Sequence, residues 1–315
     1  MIVTEGLTTG SAKQQGISEL QDFSPSPALD VSCLLCHLLN CDKTYLLMHH
    51  KDPLSPEQAA WFCDAVEKRK SGLPVAYITN HKEFYGYDFY VTPAVLIPKP
   101  DTEILVENAV ASITEAAETF GKNKVLNICD MCSGSGCIGI SVYLALLESG
   151  FSKEFFPNFT FVDISPEALQ ITKYNANHLI PKPVSNLRFV QSNLFENVTQ
   201  RFDFVLTNPP YVPAAMVDEL LTDGRREPRL SLDGDNNPAC VSKNGTMEKS
   251  SDGLGLIKKE LPQMFSCIDP WGQFLMETGE YNAEETAILA EKCGFKNVSI
   301  LRDLEGQKRV VTGRR

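Results

Sequence analysis

Val125-Leu126-Asn127-Ile128-Cys129, then Gly134-Ser135-Gly136-Cys137-Ile138-Gly139 and the apolar run on to Leu147, decide the fold. The first five residues read as a short buried strand, and Ile138 to Leu147 as a helix. Glycines between a strand and a helix let a ligand approach the backbone, where the first N–H groups of the helix face it. Alone, that pattern is common. Its weight comes from the alternation that follows: Phe159 to Val162 is a strand ending at Asp163, and Ser165-Pro166-Glu167 caps a helix to about His178. Leu187 to Gln191, Phe202 to Thr207 and Gly272 to Thr278 are further strands, and Glu284 to Cys293 is a helix. Such alternation predicts an α/β fold with a mainly parallel sheet covered on both faces. Val298 to Leu301 and Arg309 to Thr312 lack a helix between them, so they are expected to pair antiparallel at one edge.

Outward from this core the pattern changes. Asp30 to Leu39 is apolar on most faces, as in a short buried helix, and a second helix opens at Ser55 with Pro56 first and Gln58 closing a reciprocal cap. Phe62, Ala65, Val66 and Arg69 follow at helical spacing until Gly72. Met1 to Ser24 shows no sustained period and is expected to be a weak helix or a tail. Glu83 to Val91 reads as a hairpin around Gly86; Pro93, Pro98 and Pro100 then fix an extended connector before a helix over Thr102 to Ser112. The expected division is a helical domain over 1–80, a hairpin and connector over 81–100 and an α/β domain over 101–315. Asn236 to Asp252 is polar and reads as a surface loop.

The 315 residues are 43% hydrophobic and 22% charged, enough for a packed core. With 29 basic against 40 acidic residues, the formal charge of −11 argues against holding nucleic acid mainly by its phosphates. Met1 to Gly10 lacks the basic start and apolar core of a signal peptide, and Cys137 to Leu147 is far short of the roughly 20 residues that span a bilayer. The expectation is a soluble, cytoplasmic protein without a membrane partner, its 10 cysteines reduced.

The sharper signal is Asn208-Pro209-Pro210-Tyr211, directly after the strand Phe202 to Thr207. In an open α/β sheet, ligands bind beyond the carboxyl ends of the strands, so this tetrapeptide and the glycine loop share one cleft. Two prolines stiffen the loop and remove two N–H donors. The Asn208 side-chain oxygen and the Pro209 carbonyl can then each accept a hydrogen from one planar NH2 group, on which Tyr211 can stack. This suits methyl transfer to an amide or aryl-amine nitrogen, whose delocalised lone pair is otherwise unreactive. Asp163, at a strand end, can accept from both hydroxyls of a ribose, as in S-adenosylmethionine or NAD.

With Glu83-Phe84-Tyr85-Gly86, Leu96-Ile97-Pro98-Lys99-Pro100-Asp101-Thr102-Glu103, Val162-Asp163-Ile164-Ser165-Pro166-Glu167-Ala168-Leu169 and Asp252-Gly253-Leu254, the chain from about Ala28 onward resembles the HemK/PrmC family of S-adenosylmethionine-dependent glutamine N5-methyltransferases. The resemblance implies a class I methyltransferase fold with a Rossmann-like seven-stranded sheet behind a small N-terminal helical domain. It implies S-adenosylmethionine as cofactor, S-adenosylhomocysteine as product and class I peptide chain release factors as partners, methylated in their Gly-Gly-Gln loop. Cys132, Ser133, Gly134, Ser135 and Gly136 would line the methionine end, Asp163 the ribose, Asn193 and Leu194 the adenine, and Asn208 both cofactor and substrate. Asn208, Pro209, Pro210 and Tyr211 would form the glutamine pocket, and the helical domain would help grip the release factor. Three positions depart from the family pattern: Cys132 stands for Gly, Lys99 for Arg and Asn193 for Asp. Asn236 to Ser251 looks like an insertion.

Two other enzyme readings share these residues, an adenine N6-methyltransferase of nucleic acid and a glutamine methyltransferase of a ribosomal protein. A third, of another class, is an NAD-binding regulatory or redox protein. The acidic balance and the lack of a target-recognition domain argue against sequence-specific nucleic-acid binding. No metal site is expected: Cys33-Leu34-Leu35-Cys36-His37 lies in an apolar helix, and His37, His49, His50, His81 and His178 form no ligand spacing with Cys129 and Cys132. Glu277 is a candidate to orient substrate or cap a loop, Glu103 a first-turn helix carboxylate or a site residue. Arg225, Arg226 and Arg229 form a charged run, solvated or facing an acidic partner.

Overall fold

Seven strands form one sheet in the order β5-β4-β3-β6-β7-β9-β8, where β3 is Asn127–Met131, β4 Asn158–Asp163, β5 Leu187–Gln191, β6 Phe202–Thr207, β7 Ile268–Glu277, β8 Lys296–Arg302 and β9 Lys308–Arg314. The computed structural model describes residues 6–120, 124–152, 155–181, 186–222, 226–240 and 250–315. The first five strands of that order are parallel; β9 runs antiparallel between β7 and β8, and β8 forms the edge. This is the mainly parallel sheet with an antiparallel edge that the alternation predicts.

Alternating residues of the central strands face opposite layers. Ile128 and Asp130 look toward helix α7 (Cys137–Glu148), whose Gly139 N–H donates to Asp130. Cys129, Met131, Val205 and Met276 join a core with Leu256, Ile257 and Leu261 of α10 (Gly255–Cys267) and Ala283 and Ala290 of α11 (Ala283–Lys292). Helices α6 (Glu103–Phe120) and α8 (Pro166–Leu179) also pack on the sheet. Phe159, Phe161, Phe202 and Phe274 are fully buried, each contributing about 1.5–3 kcal/mol by leaving water. Among the described residues, no helix is long and apolar enough to cross a membrane.

The chain divides into two compact units, residues 1–81 with 220–226, and residues 82–219 with 227–315. The first holds α1 (Thr9–Leu20), α2 (Pro27–Leu39), α3 (Lys43–Met48), α4 (Pro56–Lys70) and α5 (Val75–Thr79). Ser55 and Gln58 make the expected reciprocal cap of α4. The weak helix or tail expected over Met1 to Ser24 is instead a packed helix for its described part. Thr8 and Ser11 cap α1, Ala12 and Leu20 are fully buried, and Gly16 lies so close to Phe62 that a Cβ there would stand 2.8 Å from the ring. Ala12, Gly16 and Leu20, four residues apart on one face, escape a search for apolar periodicity because only Leu20 is large and apolar. Arg69, at helical spacing from Phe62, Ala65 and Val66, donates to Asp30 at 2.6 Å.

The hairpin β1 (His81–Phe84) and β2 (Tyr87–Tyr90) turns at Tyr85 and Gly86, both left-handed. The polar loop expected from Asn236 is not a surface loop at its start: Asn237, Ala239 and Cys240 are buried, the last two against Leu254 and Leu256. Residues 241–249 of that stretch, and Arg225, lie outside the described residues.

Candidate active site

Register brings the site together. Val162, Met131, Thr207 and Met276 stand opposite one another across β4, β3, β6 and β7. The next residues, Asp163, Cys132, Asn208 and Glu277, therefore stand in a row at the carboxyl edge of the sheet. Asp163, Cys132 and Asn208 line one cavity, with about 910 Å³ of space running out to solvent. Its wall also includes Ser133, Gly134, Ser135, Leu194 and Pro210, together with Lys99 and Thr102 from the connector. Gly136, Asn193, Pro209 and Tyr211 stand outside the wall, each next in sequence to a lining residue.

The glycine loop is held from several sides. Ser133 N–H donates to Val162 O at 3.0 Å, Gly134 N–H to Asp163 Oδ2 at 2.9 Å, and Gly136 N–H to Ser133 O at 2.7 Å. From α8, Thr172 Oγ1 donates to Gly134 O at 2.8 Å and Asn175 Nδ2 to Ser135 O at 2.9 Å. Asn175 also accepts from Tyr90 N–H and donates to Tyr90 O, tying the hairpin to the same loop. Gly136 has φ 79° and caps α7, and a Cβ there would meet Thr172 Cγ2 at 2.8 Å. At Gly134, by contrast, a Cβ would find nothing nearer than 3.9 Å. One glycine serves packing; the other leaves room for a ligand.

Burial pushes the Asp163 carboxyl up, while N–H donors from Gly134, Ser165 and Ile164 act in the opposite direction. Each oxygen already accepts one backbone N–H, from Gly134 and from Ser165, and keeps a lone pair for a ligand hydroxyl. Asn193 Oδ1 is buried without a hydrogen-bond partner beside the cavity-lining Leu194, an acceptor that a ligand amino group would satisfy. A nucleoside-bearing sulfonium compound fits this donor and acceptor set. Asp163 would hold its ribose, Asn193 and Leu194 its base, and the open backbone at Gly134 its methionine end.

Asn208 Nδ2 donates to Thr102 Oγ1 at 3.5 Å, so its Oδ1 lies on the other side of the amide. Tyr211 is fixed at both ends: its hydroxyl donates to Glu277 Oε1 at 3.0 Å, and its carbonyl accepts from Asn282 Nδ2 at 3.1 Å and Tyr281 at 3.3 Å. Burial, then the Glu277 charge, pushes the Tyr211 hydroxyl well up. Beneath it three backbone segments stack too closely for side chains. A Cβ on Gly253 would fall 2.1 Å from Tyr211 O, and one on Gly234 would fall 2.1 Å from Gly253 O.

Residues 11–79 match the PrmC N-terminal domain and residues 112–225 the methyltransferase small domain. The chain is similar to the release factor glutamine methyltransferase of Koribacter versatilis, 36% identical over 93% of this chain and 92% of that one. It is likewise similar to those of Salmonella typhimurium, at 30% identity over 95% and 96%, and Leptospira interrogans, at 31% over 91% of each. The chain belongs to the release factor glutamine methyltransferase family.

Against the family pattern, Cys132 occupies a left-handed conformation at φ 57°, where Gly would be unstrained. Lys99 pairs with the buried Glu227 at 2.7 Å, and Glu227 also accepts from Ile97 N–H, so the substituted cation still pins the connector. Glu103 accepts from Tyr85 N–H at 3.0 Å and so closes the hairpin turn. Arg229 is paired with Asp218 and Asp233, and Arg226 is exposed. All ten cysteines are free thiols, and among the described residues no three His, Cys, Asp or Glu side chains cluster as metal ligands.

Several residues of the site escaped the sequence reading. Asp130, next to the cavity-lining Met131, and Glu260 of α10 are buried carboxyls, each pushed up to about 8 by burial. Asp235 holds Ala214 N–H and Gly253 N–H, and so secures the segment after the tetrapeptide. A lone acidic residue in an otherwise apolar strand is the signal that could have found Asp130; Glu260 follows Lys258 and Lys259 and carries no such signal.

Proposed function

We infer that the protein transfers a methyl group from S-adenosylmethionine to the side-chain amide nitrogen, N5, of the glutamine in the Gly-Gly-Gln motif of class I peptide chain release factors. The observation that carries this is the position of Asn208, directly after β6 and in the same cavity wall as Gly134 and Asp163. When bound, S-adenosylmethionine supplies an electrophilic methyl carbon on a sulfonium.

The residues of the chain do the rest by position. The Asn208 oxygen and the Pro209 carbonyl accept the two hydrogens of the substrate NH2, which raises the electron density on nitrogen and turns its lone pair toward the methyl carbon. Pro209 and Pro210 offer no competing N–H donors. The nitrogen takes the methyl as the carbon–sulfur bond breaks, S-adenosylhomocysteine leaves, and the proton shed by the alkylated amide passes to solvent. The helical unit containing residues 11–79 contributes to gripping the release factor, and the reaction belongs in the cytoplasm, where translation ends.

Incubation with labelled S-adenosylmethionine and a class I release factor, followed by peptide mass spectrometry, tests this. The label is expected on one glutamine and absent from a glutamine-to-alanine acceptor. Label only on a ribosomal protein or on nucleic-acid adenine would replace this reading.

A further inference from the structure

Asn208 directly follows β6 and Glu277 ends the neighbouring strand β7, and Thr102 of the connector approaches both. Thr102 is 2% exposed; its hydroxyl accepts from Asn208 Nδ2 at 3.5 Å and helps to hold the Glu277 carboxyl in its ionised form. A hydroxyl has a single proton to donate. If it gives that proton to Glu277, its oxygen can only accept on the other side, and what it accepts must be the Asn208 NH2. The Asn208 oxygen is then the atom left for the substrate.

The polarity matters because an asparagine side chain is nearly symmetric in shape but opposite in chemistry at its two ends. With its NH2 turned toward the substrate NH2, it would set donor against donor. An ionised carboxylate accepts only, so it dictates the direction of every hydrogen bond that reaches it. Tyr211 also donates to Glu277, through Oε1, and Oε2 is buried with no hydrogen-bond partner, an acceptor open to the Thr102 proton. Burial pushes the Glu277 carboxyl up. The Thr102 and Tyr211 hydroxyls and the Arg309 guanidinium favour its ionised form, and Asp101 opposes it.

We propose that Glu277, acting through Thr102, fixes the hydrogen-bond polarity of the Asn208 amide so that its oxygen, and not its NH2, meets the substrate. Glu277 is a positioning residue, since it lies outside the cavity wall. This deepens the glutamine reading above and rests on it.

The test uses the full-length protein, a class I release factor and S-adenosylmethionine, with Thr102→Val, Thr102→Ser and Glu277→Gln. Glu277→Gln can donate to Thr102 and reverse the relay, and Thr102→Val removes it. Both are expected to lower kcat about 10- to 100-fold, with the Kd for S-adenosylmethionine unchanged. Thr102→Ser, which keeps the hydroxyl, restores most of the turnover. Wild-type kcat in Thr102→Val and Glu277→Gln overturns the proposal. A second readout needs no substrate: the ¹⁵N–H signals of the Asn208 side chain, assigned by their loss in Asn208→Asp. They are expected to move in both disruptive variants and to stay in place in Thr102→Ser. Unmoved signals overturn the proposal even if the release factor proves not to be the acceptor, whereas failure of the wild type to label a glutamine sinks only the glutamine reading.

Discussion

Gly134 and Asp163 are joined by a 2.9 Å hydrogen bond from the loop N–H to Oδ2, which ties the tip of the glycine loop to the end of β4. Asp163 thereby acts twice, shaping the loop and offering lone pairs to a ligand. Asp163→Ala is expected to weaken S-adenosylmethionine about 10- to 100-fold, the loss of one or two hydrogen bonds to a charged group. Asp163→Asn should fall between, because one of its two atoms can no longer accept. Calorimetric titration measures this; an unchanged Kd for Asp163→Ala removes Asp163 from the cofactor site.

Two glycines, Gly134 in the loop and Gly139 in the first turn of α7, should separate binding from stability. A Cβ on Gly139 would stand 2.6 Å from Phe161 Cε1 and 2.8 Å from Asp130 Oδ2, both in the rigid core. Gly139→Ala is expected to destabilise the fold by about 1–3 kcal/mol, seen as a lower Tm. Gly134→Ala meets no neighbour, so beyond the strain of its φ of 54° its effect should appear mainly as weaker cofactor binding. Equal losses of Tm in the two variants contradict this division.

Asn208 is half-buried in a cavity wall, not in the core, so Asn208→Ala should lower kcat by about 100-fold or more while leaving Tm near that of the wild type. Gly253→Ala tests the support beneath it. Its Cβ cannot coexist with Tyr211 O and must lift the tetrapeptide or Gly253 itself. Turnover is expected to fall in Gly253→Ala with the Kd for S-adenosylmethionine little changed.

The strands β5 and β6 end where their apolar and β-branched runs end, and Ser165 caps α8 through a hydrogen bond to Ala168 N–H, so these were legible from local pattern. The row of Asp163, Asn208 and the glycine loop was legible too, because strand-end position follows from alternation. What could not be read depends on contacts between distant segments. Asn175 bonding both Ser135 and Tyr90, the stacking of Gly234, Gly253 and Tyr211, and Thr102 of the connector bonding Asn208 are set by how distant segments cross. The firm packing of helix α1, expected as a weak helix or a tail, was not legible for a related reason, since its burial rests partly on Ala12 and Gly16, residues whose small size, not their hydrophobicity, lets another helix approach.

Glu260 carries the last prediction. It has no exposed surface, and neither carboxyl oxygen has a hydrogen-bond partner. Burial pushes it from an ordinary 4.5 to about 8. The folded chain therefore keeps a proton that the unfolded chain releases between about 4.5 and 8, so stability falls as pH rises through that window. Asp130, raised from 3.8 to about 8, adds a slope of the same sign. Glu260→Met fills similar space with no group to ionise. It is expected to raise Tm at pH 8 and to flatten, without abolishing, the decline of Tm between pH 5 and 8, the remaining slope belonging to Asp130 and to the other carboxyls that burial raises, Asp163 and Glu277. Thermal melts across that range decide it, and a Glu260→Met profile parallel to the wild type shows that Glu260 does not hold its proton in the fold.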